Sequence, residues 1–301
     1  MASVAPPSAR IAVIMVSAGQ GDEGQRELTR PEKLAEVAAI AELAAPPDDA
    51  RARLLELLSD GDAEVRAGAT SAALSCASDP AVTRRVLALV ADLSPAVRAG
   101  ALRALGAVVA EAELLEGGSL ALEPALAARA RDAVLAAAQD EAASDAVRAG
   151  GLEGTGPLVG RPEVAKLITE QLGSTRELLR RAAVHAAGRS GDGARFGAAV
   201  VKALDDDARE VALSAITAAG ALRLTEARAP LLERLLGDDL AAASRAADAL
   251  GRLGGAGVER TLEKAATSDE VDDDVRSAAR EALERLAEGV ALDAQLAGGS
   301  A

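Results

Sequence analysis

The chain holds one histidine, His185, and one cysteine, Cys76. A Ser/His/Asp triad or a Cys/His pair would depend on that single ring, and a metal site built on several histidines is excluded. The two residues fall in repeats far apart along the chain, so they do not read as a nucleophile pair. Cys76 reads as a small buried residue at a helix end, and His185 as part of a solvated helix face one turn beyond Arg181. The acidic runs Asp205-Asp206-Asp207 and Asp272-Asp273-Asp274 have the charge to hold a hard cation, but both lack the central Gly and closing Glu of a calcium loop. Helix capping accounts for them. Gly154-Thr155-Gly156 and Gly191-Asp192-Gly193 resemble the opening of a dinucleotide fingerprint, yet in each the third Gly comes one position late and no strand precedes it. They read as turns between repeats. These residues point to no catalytic site, no metal and no cofactor.

Bulk composition narrows the partners further. With 33 basic and 47 acidic residues the net charge is -14, which opposes any binding mode that must neutralise a run of phosphates. Phe196 is the only aromatic residue, so base stacking, cation-π cages and aromatic interface anchors are unavailable. A nucleic-acid partner is not expected, and a protein partner must bring its own anchors. A single cysteine is compatible with a reducing cytoplasm. No apolar stretch reaches the roughly 18 to 20 residues that span a bilayer. The nearest, Ile11 to Val16 behind Arg10 and Pro6-Pro7, is shorter than the apolar region of a signal peptide. It is open to four readings: an export signal, a disordered leader, a stray β-strand, or translation starting at Met15. The expectation is a cytoplasmic protein with no membrane contact.

The elements that position these residues come from a repeat. The pair Val-Arg or its equivalent stands at Val65-Arg66, Val97-Arg98, Val147-Arg148, Leu179-Arg180, Val211-Ala212, Ala242-Ala243 and Val275-Arg276, a period of about 32 residues broken once, between 97 and 147. Such a period predicts a solenoid. Residues 1–30 carry no helical period and read as a flexible extension. Pro31-Glu32-Lys33 opens a single capping helix with Leu34, Val37, Ile40 and Leu43 on one face. Seven helix pairs follow, to about residue 289, and residues 290–301 read as a tail. Each pair has a Leu-rich first helix, an acidic or small polar turn expected to supply N-caps, and a second helix opened by Val-Arg.

Counting that Val as zero, positions plus four and plus seven are Ala or Gly in every repeat, from Ala69/Ala72 to Ala279/Ala282. At 100° per residue they share a face with position zero and let a neighbouring helix come close. Position plus nine is Gly106, Gly156, Gly188, Gly220 and Gly251, where a helix end is expected to turn left-handed, but Leu74 and Glu284 in the outermost repeats. The surplus in the long interval lies near residues 107–123 and includes Glu116-Gly117-Gly118-Ser119. It reads as a contact loop or as a tolerated helix extension.

Asp92 to Gly106, DLSPAVRAGALRALG, resembles the short HEAT-like repeat of bacterial proteins named after the phycobilisome lyases, and the resemblance covers about residues 47–288. Tetratricopeptide and ankyrin signatures are missing. The resemblance implies an all-α fold, an α-α superhelix of about seven helix pairs plus an N-terminal capping helix. It also implies that the plus-one arginines form a structural ladder, reaching the acidic turn of their own or the adjacent repeat, and that second helices line the concave side. Positions plus two and plus six then form rows along that side: Ala67/Ser71, Ala99/Arg103, Ala149/Glu153, Arg181/His185, Leu213/Thr217, Ser244/Asp248 and Ser277/Glu281. Arg103, Glu153, Arg181, His185 and Asp248 are the candidate partner-binding residues, and Arg180, Arg181, Arg189 and Arg195 gather into a local basic area. The functional expectation is a non-catalytic scaffold or adaptor that grips a protein along the concave face. The alternative is a phycobilin lyase-like or chaperone-like subunit acting on a tetrapyrrole protein, against which stand the single Cys and His and the absent Trp and Tyr.

Overall fold

The computed structural model describes residues 28–76, 79–114 and 123–298, with side chains described through residue 111 and again over 123–288. Residues 1–27 and the stretch 115–122, which holds Glu116-Gly117-Gly118-Ser119, lie outside the described residues. Among the described residues there is no β-strand, and none of the helices is long and apolar enough to cross a membrane.

The chain divides into two compact units, Met1–Thr155 and Gly156–Ala301. In the first, a capping helix α1 (Arg30–Ala41) precedes three pairs: α2 (Asp48–Leu57) with α3 (Ala63–Ala72), α4 (Pro80–Leu89) with α5 (Pro95–Leu114), and α6 (Pro124–Gln139) with α7 (Asp145–Glu153). In the second, four pairs follow: α8 (Pro162–Leu172) with α9 (Glu177–Arg189), α10 (Gly193–Ala203) with α11 (Arg209–Ala221), α12 (Arg228–Leu235) with α13 (Leu240–Leu253), and α14 (Val258–Thr267) with α15 (Asp273–Gly298). Seven pairs and a cap are what the repeat register predicts. The inserted segment enters the structure as an extension of α5 through Leu114.

Local chemistry sets the helix starts. Thr29 and Glu32 close a capping box on α1. Proline stands in the first turn of α4, α6 and α8, where its missing N–H costs no hydrogen bond. Asp62, Asp79, Asp192 and Asp239 accept backbone N–H bonds as N-caps. Other turn acids act differently. Asp60, Asp92 and Asp206 accept the N–H two residues ahead, at 2.8 to 2.9 Å, and so fold the turn before the helix begins. The expectation that every acidic turn supplies N-caps is corrected accordingly.

Within each unit the second helices stack side by side, α3, α5 and α7 in the first, with the cap α1 against α3, and α9, α11, α13 and α15 in the second. Position zero and the small plus-four and plus-seven residues are buried throughout, as at Val65, Ala69 and Ala72 or Val211, Ala215 and Ala218. First-helix leucines such as Leu54, Leu231 and Leu262 complete the core, each side chain stabilising by about 1.5–3 kcal/mol.

The plus-nine glycines depart from expectation. Left-handed glycines occur at Gly191, Gly254, Gly255 and Gly257, and none of them is at plus nine. Gly106, Gly188, Gly220 and Gly251 sit inside helices. What requires glycine there is the next helix. A Cβ at Gly188 would lie 2.8 Å from the Cβ of Ala218, one at Gly220 2.7 Å from Ala249 Cα, and one at Gly251 2.8 Å from Ala282 Cβ. Plus nine of one repeat meets plus seven of the next, so each glycine is a contact point between helices.

Candidate functional site

The plus-six row lies on the surface at Ser71, Arg103, His185, Thr217 and Glu281, is half-buried at Asp248 and is buried at Glu153. The plus-two row is less open than its angle on the helix implies. Ala99, Ala149 and Leu213 are buried, and Arg181 and Ser244 half-buried. An inner second helix has a neighbour on each side. A Cβ on Gly150 of α7 would lie 2.6 Å from the carbonyl oxygen of Ala99, so α7 covers that position of α5. Gly100, whose Cβ position falls against the Thr70 hydroxyl, plays the same part between α5 and α3. These mid-helix glycines were the signal for a second buried flank, and the repeat register alone did not expose it.

Of the five candidate residues, the structure brings Arg103 and Glu153 together, with Nε 3.8 Å from Oε2. Asp248 stands between two arginines, Arg252 at 3.1 Å and Arg285 at 2.9 Å. Arg181 and His185 follow one another by a turn on α9. The basic area on α9 and α10 is partly neutralised, because Arg180 is committed to Asp206 and Arg195 stands 3.3 Å from Asp192. Among the described residues no group of three or more His, Cys, Asp or Glu is placed to hold a metal ion. Cys76 is buried at the end of a short 3-10 turn, and burial pushes its thiol pKa up, which suppresses the nucleophilic thiolate.

The most ordered polar feature is the ladder beside these rows. Arg66 places Nη1 on the carbonyls of Asp60 and Gly61 and grips Asp92 of the next turn with Nε and Nη2, at 2.9 and 3.0 Å. Arg180 repeats this on Ser174 O and on Asp206, at 2.9 and 2.8 Å. These two-pronged bonds hold the Asp92 and Asp206 carboxyls below the usual carboxylate range. Where the register has Ala212 in place of Arg, Arg209 at the start of the same helix takes over. It grips Asp239 through two bonds of 2.7 Å and, with the Ala242 N–H, lowers that carboxyl to about 2. Arg209 lies off the repeat position, so the register gave no sign of it. Arg276 bonds back to its own turn and to Asp273. Among the described residues Arg98 reaches only the carbonyls of its own turn, and Arg148 is 8% exposed with no hydrogen-bond partner for Nε. For Arg98 the expectation of an acidic turn in the adjacent repeat is corrected, because the position that matches Asp92 and Asp206 is Ala142; Arg148 pairs with no carboxylate of the described residues.

No family model and no curated protein matches the chain. Among solved structures, yeast importin-β aligns with a TM-score of 0.50 at 14% identity, over 93% of this chain and 41% of that one. The CpcE–CpcF complex of phycocyanin lyase from a Nostoc species gives 0.47 at 17% identity, over 89% and 98%. An engineered protein gives 0.37 at 21% identity, over 79% and 96%. The importin-β likeness is one of fold, and with the seven observed pairs it establishes an all-α fold of HEAT-like helix pairs.

Proposed function

We propose that the chain is a non-catalytic scaffold or adaptor that binds a protein partner through the second-helix rows of its two units. The observation that carries this reading is the division of labour on the second helices. Positions zero, plus four and plus seven are spent on stacking, while most of the plus-six row, from Ser71 and Arg103 to His185, Thr217 and Glu281, stays on the surface. A row of surface side chains on a stack held by close helix contacts is preorganised, which lowers the ordering cost of binding. Arg103, Glu153, Arg181, His185 and Asp248 are the residues assigned to the partner. Their mixed charge favours specificity and orientation over bulk apolar affinity.

Pull-down from the native cell extract, followed by mass spectrometry, tests the reading with R103E and R181E beside the wild type. Both variants should keep their helicity by circular dichroism and lose captured partner, and unchanged capture by both removes the rows from consideration. The lyase-like alternative makes a separate demand: mixing the purified chain with a bilin must shift the bilin absorbance.

A further inference from the structure

Two consecutive arginines of the ladder in the first unit lack the carboxylate that their counterparts hold. In the complete rung, Nη1 of Arg66 is fixed by its own turn, which aims Nε and Nη2 at Asp92. Arg98 is fixed in the same way, with Nη1 on Asp92 O at 2.8 Å and Leu93 O at 3.2 Å. Among the described residues its Nε and Nη2 meet no acceptor. The position corresponding to Asp92 and Asp206, five residues before the register Val, is Ala142 in the following repeat. Arg148 is the next rung. It is 8% exposed, its Nε is buried without a partner, and no carboxylate of the described residues pairs with it. A guanidinium cannot shed its charge, so a buried, unpaired one carries a desolvation penalty that an anion would relieve. The planar N–H fork matches a carboxylate, as Asp92 and Asp206 show in the closed rungs.

We propose that Arg98 and Arg148 form a carboxylate receptor, two adjacent rungs whose acids are supplied by an acidic peptide segment of another protein. Stacked second helices are about 8–10 Å apart. That exceeds the reach of a short dicarboxylate but matches acidic residues three apart on a polyproline II strand, which repeats its faces every three residues at about 3.1 Å per residue. Arg98, half-buried, is the more accessible end. The receptor is independent of the plus-two and plus-six rows, because neither R103E nor R181E alters a rung.

The test is calorimetric titration of the full chain with a synthetic Gly/Ser nonapeptide carrying two Asp residues three positions apart. Its Asn counterpart and sodium glutarate are titrated in parallel, and each titration is repeated on R98M and R148M. Methionine in place of a buried guanidinium is tolerated by folding, and thermal melts followed by circular dichroism verify that. The Asp peptide should bind, the Asn peptide should not, and each variant should weaken binding at least tenfold. Glutarate binding as tightly as the peptide would overturn the peptide as the source of the carboxylate. Silence from both acids, equal binding of the Asn peptide, or wild-type affinity in both variants would overturn the receptor itself.

Discussion

The two units solve the same packing problem with different degrees of closure. In the second, Arg180 holds Asp206, Arg209 holds Asp239 and Arg234 reaches Asp205 and the Leu204 carbonyl. In the first, Arg66 holds Asp92, but among the described residues Arg98 and Arg148 hold no acid. The helix contacts differ too. Gly188, Gly220 and Gly251 each meet an alanine, whereas Gly106 meets Gly154, with a Cβ position 2.5 Å from the facing Cα. The closed unit spends its charges on its own turns. The other keeps two of them available, and it is the unit with the insertion between its repeats.

The largest effect should come from the single aromatic anchor. Phe196, 1% exposed, has no counterpart in the first unit. F196A should cost the second unit about 4 kcal/mol through the cavity it leaves, visible in urea melts as an early transition while the first unit unfolds unchanged. A single merged transition shifted as a whole would break the comparison.

Next comes the glycine contact of the first unit. G106A pushes a methyl group against backbone and should destabilise by about 2–3 kcal/mol. Gly61 has nothing within 4 Å of its Cβ position, and G61A should melt like wild type. Equal effects would mean that the close approach at Gly106 does not constrain the stack.

A smaller contrast tests the rungs. D206A strands Arg180 and should cost about 2 kcal/mol in chemical denaturation, whereas R98M removes only bonds to its own turn and should cost about 1 kcal/mol. Reversal of that order would show that the open rung is stabilised by something other than its own carbonyls.

The smallest effect is electrostatic. Asp92, Asp206 and Asp239 are all held below the ordinary carboxylate range. Unfolded aspartates titrate near 4, so this stabilisation is complete above about pH 4 and drains away as the pH falls through the folded values. For Asp239 the folded value is about 2. D239N should flatten the fall in melting temperature between those limits. High salt should shrink the effect, because the Arg209–Asp239 pair is solvent-accessible.

Much of this architecture was legible in the chain. The recurring Val-Arg, the alanines at plus four and plus seven and the Leu-rich first helices placed all seven pairs, because a helix and its apolar face are local consequences of a period near 3.6. The candidate rows were less legible. Ala99 and Leu213 sit at the predicted angle yet are buried, because a helix flanked on both sides loses two faces to packing, and a wheel drawn for one helix shows only one. Misreading the plus-nine glycines as helix ends has the same origin: Gly188 and Gly220 look alike whether they end a helix or admit a neighbour.

By itself the sequence determined the repeat, its register, the all-α class and the residues that fill the seams, since these follow from side-chain size and spacing within one helix. Only the tertiary structure decided which arginine finds which aspartate. That pairing joins residues some 26 to 30 positions apart and depends on how one turn sits against the next. So Arg209 serves a rung from outside the register, while Arg98 and Arg148, on the register, find no acid among the described residues.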